Sequence, residues 1–175
     1  MQGEGRRGSP PGRGALLFLI LGVVVATIGC DRVTKSLAES RLSGLPPQTF
    51  LTGAVRLEYA ENTGAFLSLG AELPAWARTA LFGVGSALSL ALLPLLAARH
   101  RCGSAALVGL GLVWAGGASN LIDRVTRGSV VDFLNVGVGP VRTGIFNVAD
   151  VAITAGALLV VYGWGRTRRS GGFAP

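Results

Sequence analysis

Apolar residues gather in four long blocks along this chain instead of alternating with polar ones. Ala15–Cys30 reads ALLFLILGVVVATIGC, Thr79–Ala98 reads TALFGVGSALSLALLPLLAA, Gly103–Ser119 reads GSAALVGLGLVWAGGAS, and Val151–Trp164 reads VAITAGALLVVYGW. A helix that crosses a bilayer needs roughly 17–25 residues. The second block has that length alone, and the others reach it once polar end residues such as Thr34, Asn120 and Asn147 join. The pattern predicts an all-α membrane protein with four transmembrane helices, at about 14–34, 78–98, 103–123 and 147–165. These form one membrane-embedded domain, 14–166, between a disordered N-terminal stretch, 1–13, and a tail, 167–175, both rich in Gly, Pro and Ser. Pro94 kinks the second helix, as bilayer helices tolerate. Gly109, Gly111, Gly116 and Gly117 let the third helix approach a neighbour closely. Between the first two spans, RLEYAEN alternates in the manner of a strand.

Composition agrees with that class. Half of the 175 residues are hydrophobic and 14% are charged, where a soluble domain carries about a quarter charged residues. The net charge of +7 would suggest nucleic acid in a soluble protein. Here the arginines flank the spans, and no nucleic-acid partner is expected. Arg6, Arg7 and Arg13 precede the first span, Arg99 and Arg101 lie between the second and third, and Arg166, Arg168 and Arg169 follow the fourth. The positive-inside rule puts these groups, and both termini, in the cytoplasm. Eight further basic residues, Arg32 to Arg142, are spread over longer segments. A cleaved signal peptide would also start with such arginines, but no small-x-small site follows the first block and DRVTK comes immediately after it. Cys30 and Cys102 fall at opposite membrane faces, about 30 Å apart, and do not pair; Cys30 is expected to be a packing residue.

This topology brings Asp31, Asp123, Asp132 and Asp150 to the outer side. Asp31 and Asp123 end the first and third spans. Asp132 lies in the following connection or an extension of the third span, and Asp150 lies in the first turn of the fourth. They could be separate interfacial charges, solvated or paired with Arg32, Arg124 or Arg127. Asp132 and Asp150 fit that reading less well, because VVDF and FNVADVAI surround them with apolar residues, and ionisable groups in such settings are functional candidates. Other chemistries lack their parts. The one histidine, His100, is on the cytoplasmic side, so a Ser-His-Asp or Cys-His site at the outer face fails, as does zinc. Lys35 has no SxxK pattern, and Ser119 has no evident base. A carboxylate-only metal site is conceivable, since hard cations accept oxygen ligands, yet no dense Asp/Asn loop pattern appears; that leaves two carboxylates sharing a proton, the chemistry of aspartic proteases. A small transporter or proton-conducting protein using interfacial carboxylates is the alternative, and a non-catalytic scaffold a third. The middles of the second and fourth spans hold no ionisable residue to carry protons across.

Four blocks, in order, carry a resemblance. DRVTK (Asp31–Lys35), NTGAFLS (Asn62–Ser68), NLIDRVTRGSVVDF (Asn120–Phe133) and FNVAD (Phe146–Asp150) resemble the conserved boxes of the lipoprotein signal peptidases, the signal peptidase II family. The resemblance implies a membrane aspartyl endopeptidase that cleaves diacylated prolipoproteins just before the lipidated lipobox cysteine. It implies Asp132 and Asp150 as the catalytic pair, with Asp31, Asn62, Asn120, Asp123, Arg124 and Asn147 lining or bracing the site. It further implies a small extracytoplasmic β-containing segment between the first two helices with a short helix over the site, no cofactor, and contact with membrane lipid. The expected setting is a monomer in the bacterial cytoplasmic (inner) membrane with its site at the outer, periplasmic face. Two departures stand out. Ser119 replaces the glycine usual before Asn120, at an expected cost in close helix packing, and Phe66 comes one place early, which bears on the shape of the cradle.

Overall fold

The computed structural model describes residues 12–64, 72–99 and 102–170. Four helices in it are long and apolar enough to cross a membrane: Gly14–Leu42, Trp76–Arg99, Ser104–Arg127 and Val148–Gly165. The first belongs to α1 (Arg13–Leu42), which continues past Thr34. Strands β1 (Gln48–Phe50) and β2 (Val55–Asn62) follow, joined by a 3-10 turn at Leu51–Gly53. The second span is built in three pieces: α2 (Ala75–Arg78), a π-helical stretch at Thr79–Val84, and α3 (Gly85–Arg99). Helix α4 (Ser104–Arg127), strands β3 (Val130–Val138) and β4 (Val141–Arg142), and α5 (Val148–Ser170) complete the chain.

Most of the exposed large side chains on α1, α3 and α5 are apolar, among them Leu17, Phe18, Leu92, Leu96, Leu158 and Val161, as lipid-facing surfaces require. Helices α4 and α5 form the tightest pair, because glycine removes the side chains between them. A Cβ at Gly109 would lie 2.6 Å from the Gly156 carbonyl oxygen, and one at Gly156 would lie 2.5 Å from that of Gly109. One helical turn or two nearer the sheet, a Cβ at Gly116 would strike the Ala149 carbonyl. Backbones in contact gain dispersion and lose no side-chain entropy, which is how helices associate where lipid offers no hydrophobic drive. The second span is held differently. Pro94 has no N–H to give the Leu90 carbonyl, and Trp114 Nε1 on α4 donates to that oxygen at 3.0 Å. An orphaned acceptor in an apolar layer thereby gains a partner.

The sheet is where the sequence reading needs revising. Its four antiparallel strands run in the order β1-β2-β3-β4, so half of them come from the α4–α5 connection and not from the segment between the first two helices. Asp132 accordingly lies in the connection after the third span, on a strand, and not in an extension of that span. The VVDFLNVGV run is nearly continuously apolar at its start because both faces are covered there: Val130, Val131 and Asp132 are all buried. The sheet packs across the C-terminal ends of α1 and α4. The remainder of the first connection, 65–71 with Phe66 and Ser68, lies outside the described residues, as do His100, Arg101 and both chain ends, 1–11 and 171–175. Cys30 is exposed, so it does not serve as a core packing residue.

Candidate active site

Helix α5 begins with a reciprocal cap. Asn147 precedes the first helical residue, and its Oδ1 accepts from the Asp150 N–H at 2.9 Å. The Asp150 Oδ2 accepts in turn from the Asn147 N–H at 3.3 Å. This is the geometry of a capping box with Asn and Asp in place of Ser and Glu, and it fixes the Asp150 side chain on the helix end. A second carboxylate arrives from α1: Asp31 Oδ1 accepts from the Ala149 N–H at 2.9 Å. Anions suit this position, where unsatisfied N–H groups and the helix dipole combine.

Asp132 approaches from the sheet. Pairing between β2 and β3 runs Leu57↔Leu134 and then Ala60↔Asp132, so β2 carries one extra residue in between. Such bulges re-aim neighbouring side chains and recur beside active sites. Asp132 is 2% exposed and has two amide partners. Asn147 Nδ2 donates to Oδ1 at 2.6 Å and Asn62 Nδ2 donates to Oδ2 at 2.9 Å. Asn62 is itself oriented, since its Oδ1 accepts from the Gly64 N–H at 3.0 Å. Burial pushes the Asp132 carboxyl up to about 6, with the Asp150 charge adding to the rise and the bonds from Asn62 and Asn147 opposing it. Asn147 thus holds both carboxylates, one through its amide and one through the cap. The sequence places Asp132 and Asp150 18 positions apart; one asparagine bridges their carboxylates, through its side-chain NH2 to Asp132 and its backbone N–H to Asp150.

The supporting residues divide into two groups. Asn120 on α4 donates from Nδ2 to Asp150 Oδ1 at 3.0 Å. Arg124, one turn further along, sends Nη2 to the Gly64 carbonyl at 2.9 Å, tying α4 to the end of β2. Asp31 and Asp123 are farther back, both fully buried. Asp123 pairs with Arg32 and with Lys35 at 2.8 Å, not with its neighbour Arg124. Lys35 also lies 2.7 Å from Asp31. Ser119 Oγ donates to Asp31 Oδ2 at 2.6 Å; the hydroxyl that departs from glycine has a buried acceptor, which offsets its bulk. Lys35, which no SxxK pattern marks as a base, belongs to this cluster. The available signal was the i,i+4 spacing of Asp31 and Lys35 on one helix face.

Two apolar cavities flank α5, and both reach Asp150. One, of about 490 Å³, runs between α3, α4 and α5 from Val161 to Asn120, Arg124 and Asp150. The other, of about 520 Å³, lies under Phe146 and Thr143 along Val151, Thr154 and Leu158. Asp150, which lines both cavities, can reach a polar bond held by greasy neighbours, with Asp132 buried behind the Asn147 link.

The family model described as Signal peptidase (SPase) II matches residues 23–164. The lipoprotein signal peptidase of Burkholderia cenocepacia (strain HI2424) is 37% identical over 157 residues, covering 88% of this chain and 91% of its own. That of Rhodococcus jostii (strain RHA1) is 37% identical over 155 residues, covering 85% of this chain and 72% of its own. Two solved structures share the fold. Each is described as a bacterial membrane enzyme. One superposes with a TM-score of 0.75 at 22% identity over 93% of this chain and 94% of its own. The other gives 0.68 at 23% identity over 86% and 92%.

Proposed function

The chain belongs to the signal peptidase II family, and from that premise we propose that it is an aspartyl endopeptidase using Asp132 and Asp150. Membership makes it a peptidase that removes signal peptides from lipoproteins and, with its four apolar helices, a multi-pass bacterial membrane protein. The finer reading is that it cuts diacylglyceryl-modified prolipoproteins immediately before the lipidated cysteine. One observation carries the mechanism: Asn147 bonds Asp132 through its amide and Asp150 through the helix cap.

In this mechanism the pair shares one proton, and Asp132 carries it, because Asp150 sits in the cap at the positive end of the α5 dipole, which favours its anionic form. Asp150 takes a proton from a water molecule as the water oxygen attacks the scissile carbonyl carbon. Asp132 gives its proton to the carbonyl oxygen, forming a gem-diol. A proton then passes to the leaving nitrogen of the lipidated cysteine, the C–N bond breaks, and the new carboxyl end departs with the signal peptide. The two cavities beside α5 offer room for apolar chain on either side of the reacting bond. Asp31, Asn62, Asn120, Asp123, Arg124 and Asn147 hold the pair in place. The enzyme works as a monomer in contact with membrane lipid, in the cytoplasmic membrane, with the sheet and the site on the outer face and no cofactor.

The test is turnover of a diacylated lipobox peptide by purified protein in detergent. Asp132→Asn and Asp150→Asn each abolish cleavage while the protein stays folded. Their losses do not multiply, so the double variant is no worse than either single, as for groups acting as one unit. Near-normal cleavage by either single variant would remove the aspartyl mechanism from these positions.

A further inference from the structure

Lys35 is a charged side chain that the reaction as written does not use, yet it is 2% exposed and lies one residue away from the site. Its Nζ donates to Asn120 Oδ1 at 2.8 Å, and Asn120 Nδ2 donates to Asp150 Oδ1 at 3.0 Å. An amide can be turned over at little steric cost, because its oxygen and nitrogen are nearly the same size. Here only one orientation is possible. Turned over, Asn120 would point its NH2 at an ammonium group and its oxygen at a carboxylate. Asn147 Nδ2 adds a weaker bond to the same Oδ1, at 3.3 Å, but an uncharged donor at that distance does not fix the amide as a buried cation does.

The charge of Lys35 is available for this task because it is balanced. Asp31 and Asp123 lie 2.7 and 2.8 Å from Nζ, and Arg32 provides the second cation of the group. Two cations and two anions form a neutral cluster that holds the ammonium under Asn120. We infer that Lys35 is a positioning residue: through Nζ it sets the Asn120 amide so that Nδ2, not Oδ1, faces Asp150. The inference rests on the catalytic pair proposed above.

A double-mutant cycle separates this role from a merely structural one. Lys35→Met, Asn120→Ala and the double variant are compared for kcat and KM on a diacylated lipobox peptide. Each single variant loses about 10- to 100-fold in kcat, the range typical of supporting groups beside a reacting centre, with KM nearly unchanged. The double variant falls no further than the worse single, since Lys35 has nothing to position once the amide is gone. Losses that multiply, or a Lys35→Met enzyme with wild-type kcat, would overturn the inference. Should Lys35→Met fail to fold for want of charge balance, the same cycle is run in an Asp123→Asn background, which removes one anion with the cation. A readout independent of turnover accompanies it: hydrogen exchange at the Asn120 side-chain amide, followed by NMR. That exchange is slow in the wild type and speeds up in Lys35→Met; unchanged exchange counts against the inference. If the wild-type protein does not cut the peptide, the functional reading fails by itself, and the exchange experiment still decides whether Lys35 fixes the amide.

Discussion

Asn62 gives Asp132 a hydrogen bond that only the carboxylate form uses well, and so holds down a value that burial and Asp150 push up to about 6. Removing that donor has a signed consequence. In Asn62→Ala the Asp132 carboxyl rises further, and the alkaline limb of the bell-shaped kcat/KM profile moves to higher pH; a limb that stays put or moves down would assign it to another group. The same burial bears on stability. A carboxyl whose folded value lies above its unfolded one stabilises the fold at pH below the unfolded value of 3.8. That contribution is lost as pH rises toward 6. Wild type therefore loses about 3 kcal/mol of stability between pH 3.5 and pH 7 that Asp132→Asn, with no carboxyl to titrate, does not lose, whatever its own NH2 costs beside the donors of Asn62 and Asn147. Thermal unfolding in detergent at the two pH values measures the difference.

Helices α4 and α5 meet backbone to backbone at Gly109 and Gly156, with less than a Cβ of room. Gly109→Val and Gly156→Val each push the two helices apart and destabilise by about 2 kcal/mol or more, the usual cost of overpacking. Activity falls with the fold, because Asp150 sits at the same interface near Gly116. A shift in unfolding midpoint for either substitution, against none for Gly22→Val in a part of α1 with open space around it, is the expected pattern. These glycines could be read from the sequence as a small-residue stripe within an apolar block. The strand β3 could not. VVDFLNVGV is covered on both faces at its start, so it lacks the alternation that marks a half-exposed strand. Its partner β2, RLEYAEN, alternates in sequence, although Val55 to Ala60 are all half-buried. The bulge between Leu57 and Ala60 that turns Asp132 toward the site depends on pairing register, which no single strand records.

Among the described residues, the buried polar side chains gather at one end of an apolar bundle. If the arginine-rich groups are cytoplasmic, reporter fusions after residue 40 and after residue 101 read opposite sides of the membrane; a shared side would break the four-span topology. The blocks that gather at the site could each be seen in the sequence, but the network joining them could not. Lys35 meets Asn120 85 residues away, and such a pairing leaves no local pattern. That distance also sets a schedule. Ribosomes add roughly 5–20 residues per second, and Arg32 waits for a partner 91 residues downstream, so α1 spends roughly 5–20 s in the bilayer before α4 exists. Through that interval Asp31 and Lys35, one turn apart on the same helix, neutralise each other without help from the rest of the chain. The pair that later holds the site together is thus also the ticket by which α1 enters lipid early. Asp31→Ala leaves a bare ammonium on a half-made protein, and pulse-chase labelling will find those chains degraded during synthesis, before any completed enzyme could be assayed.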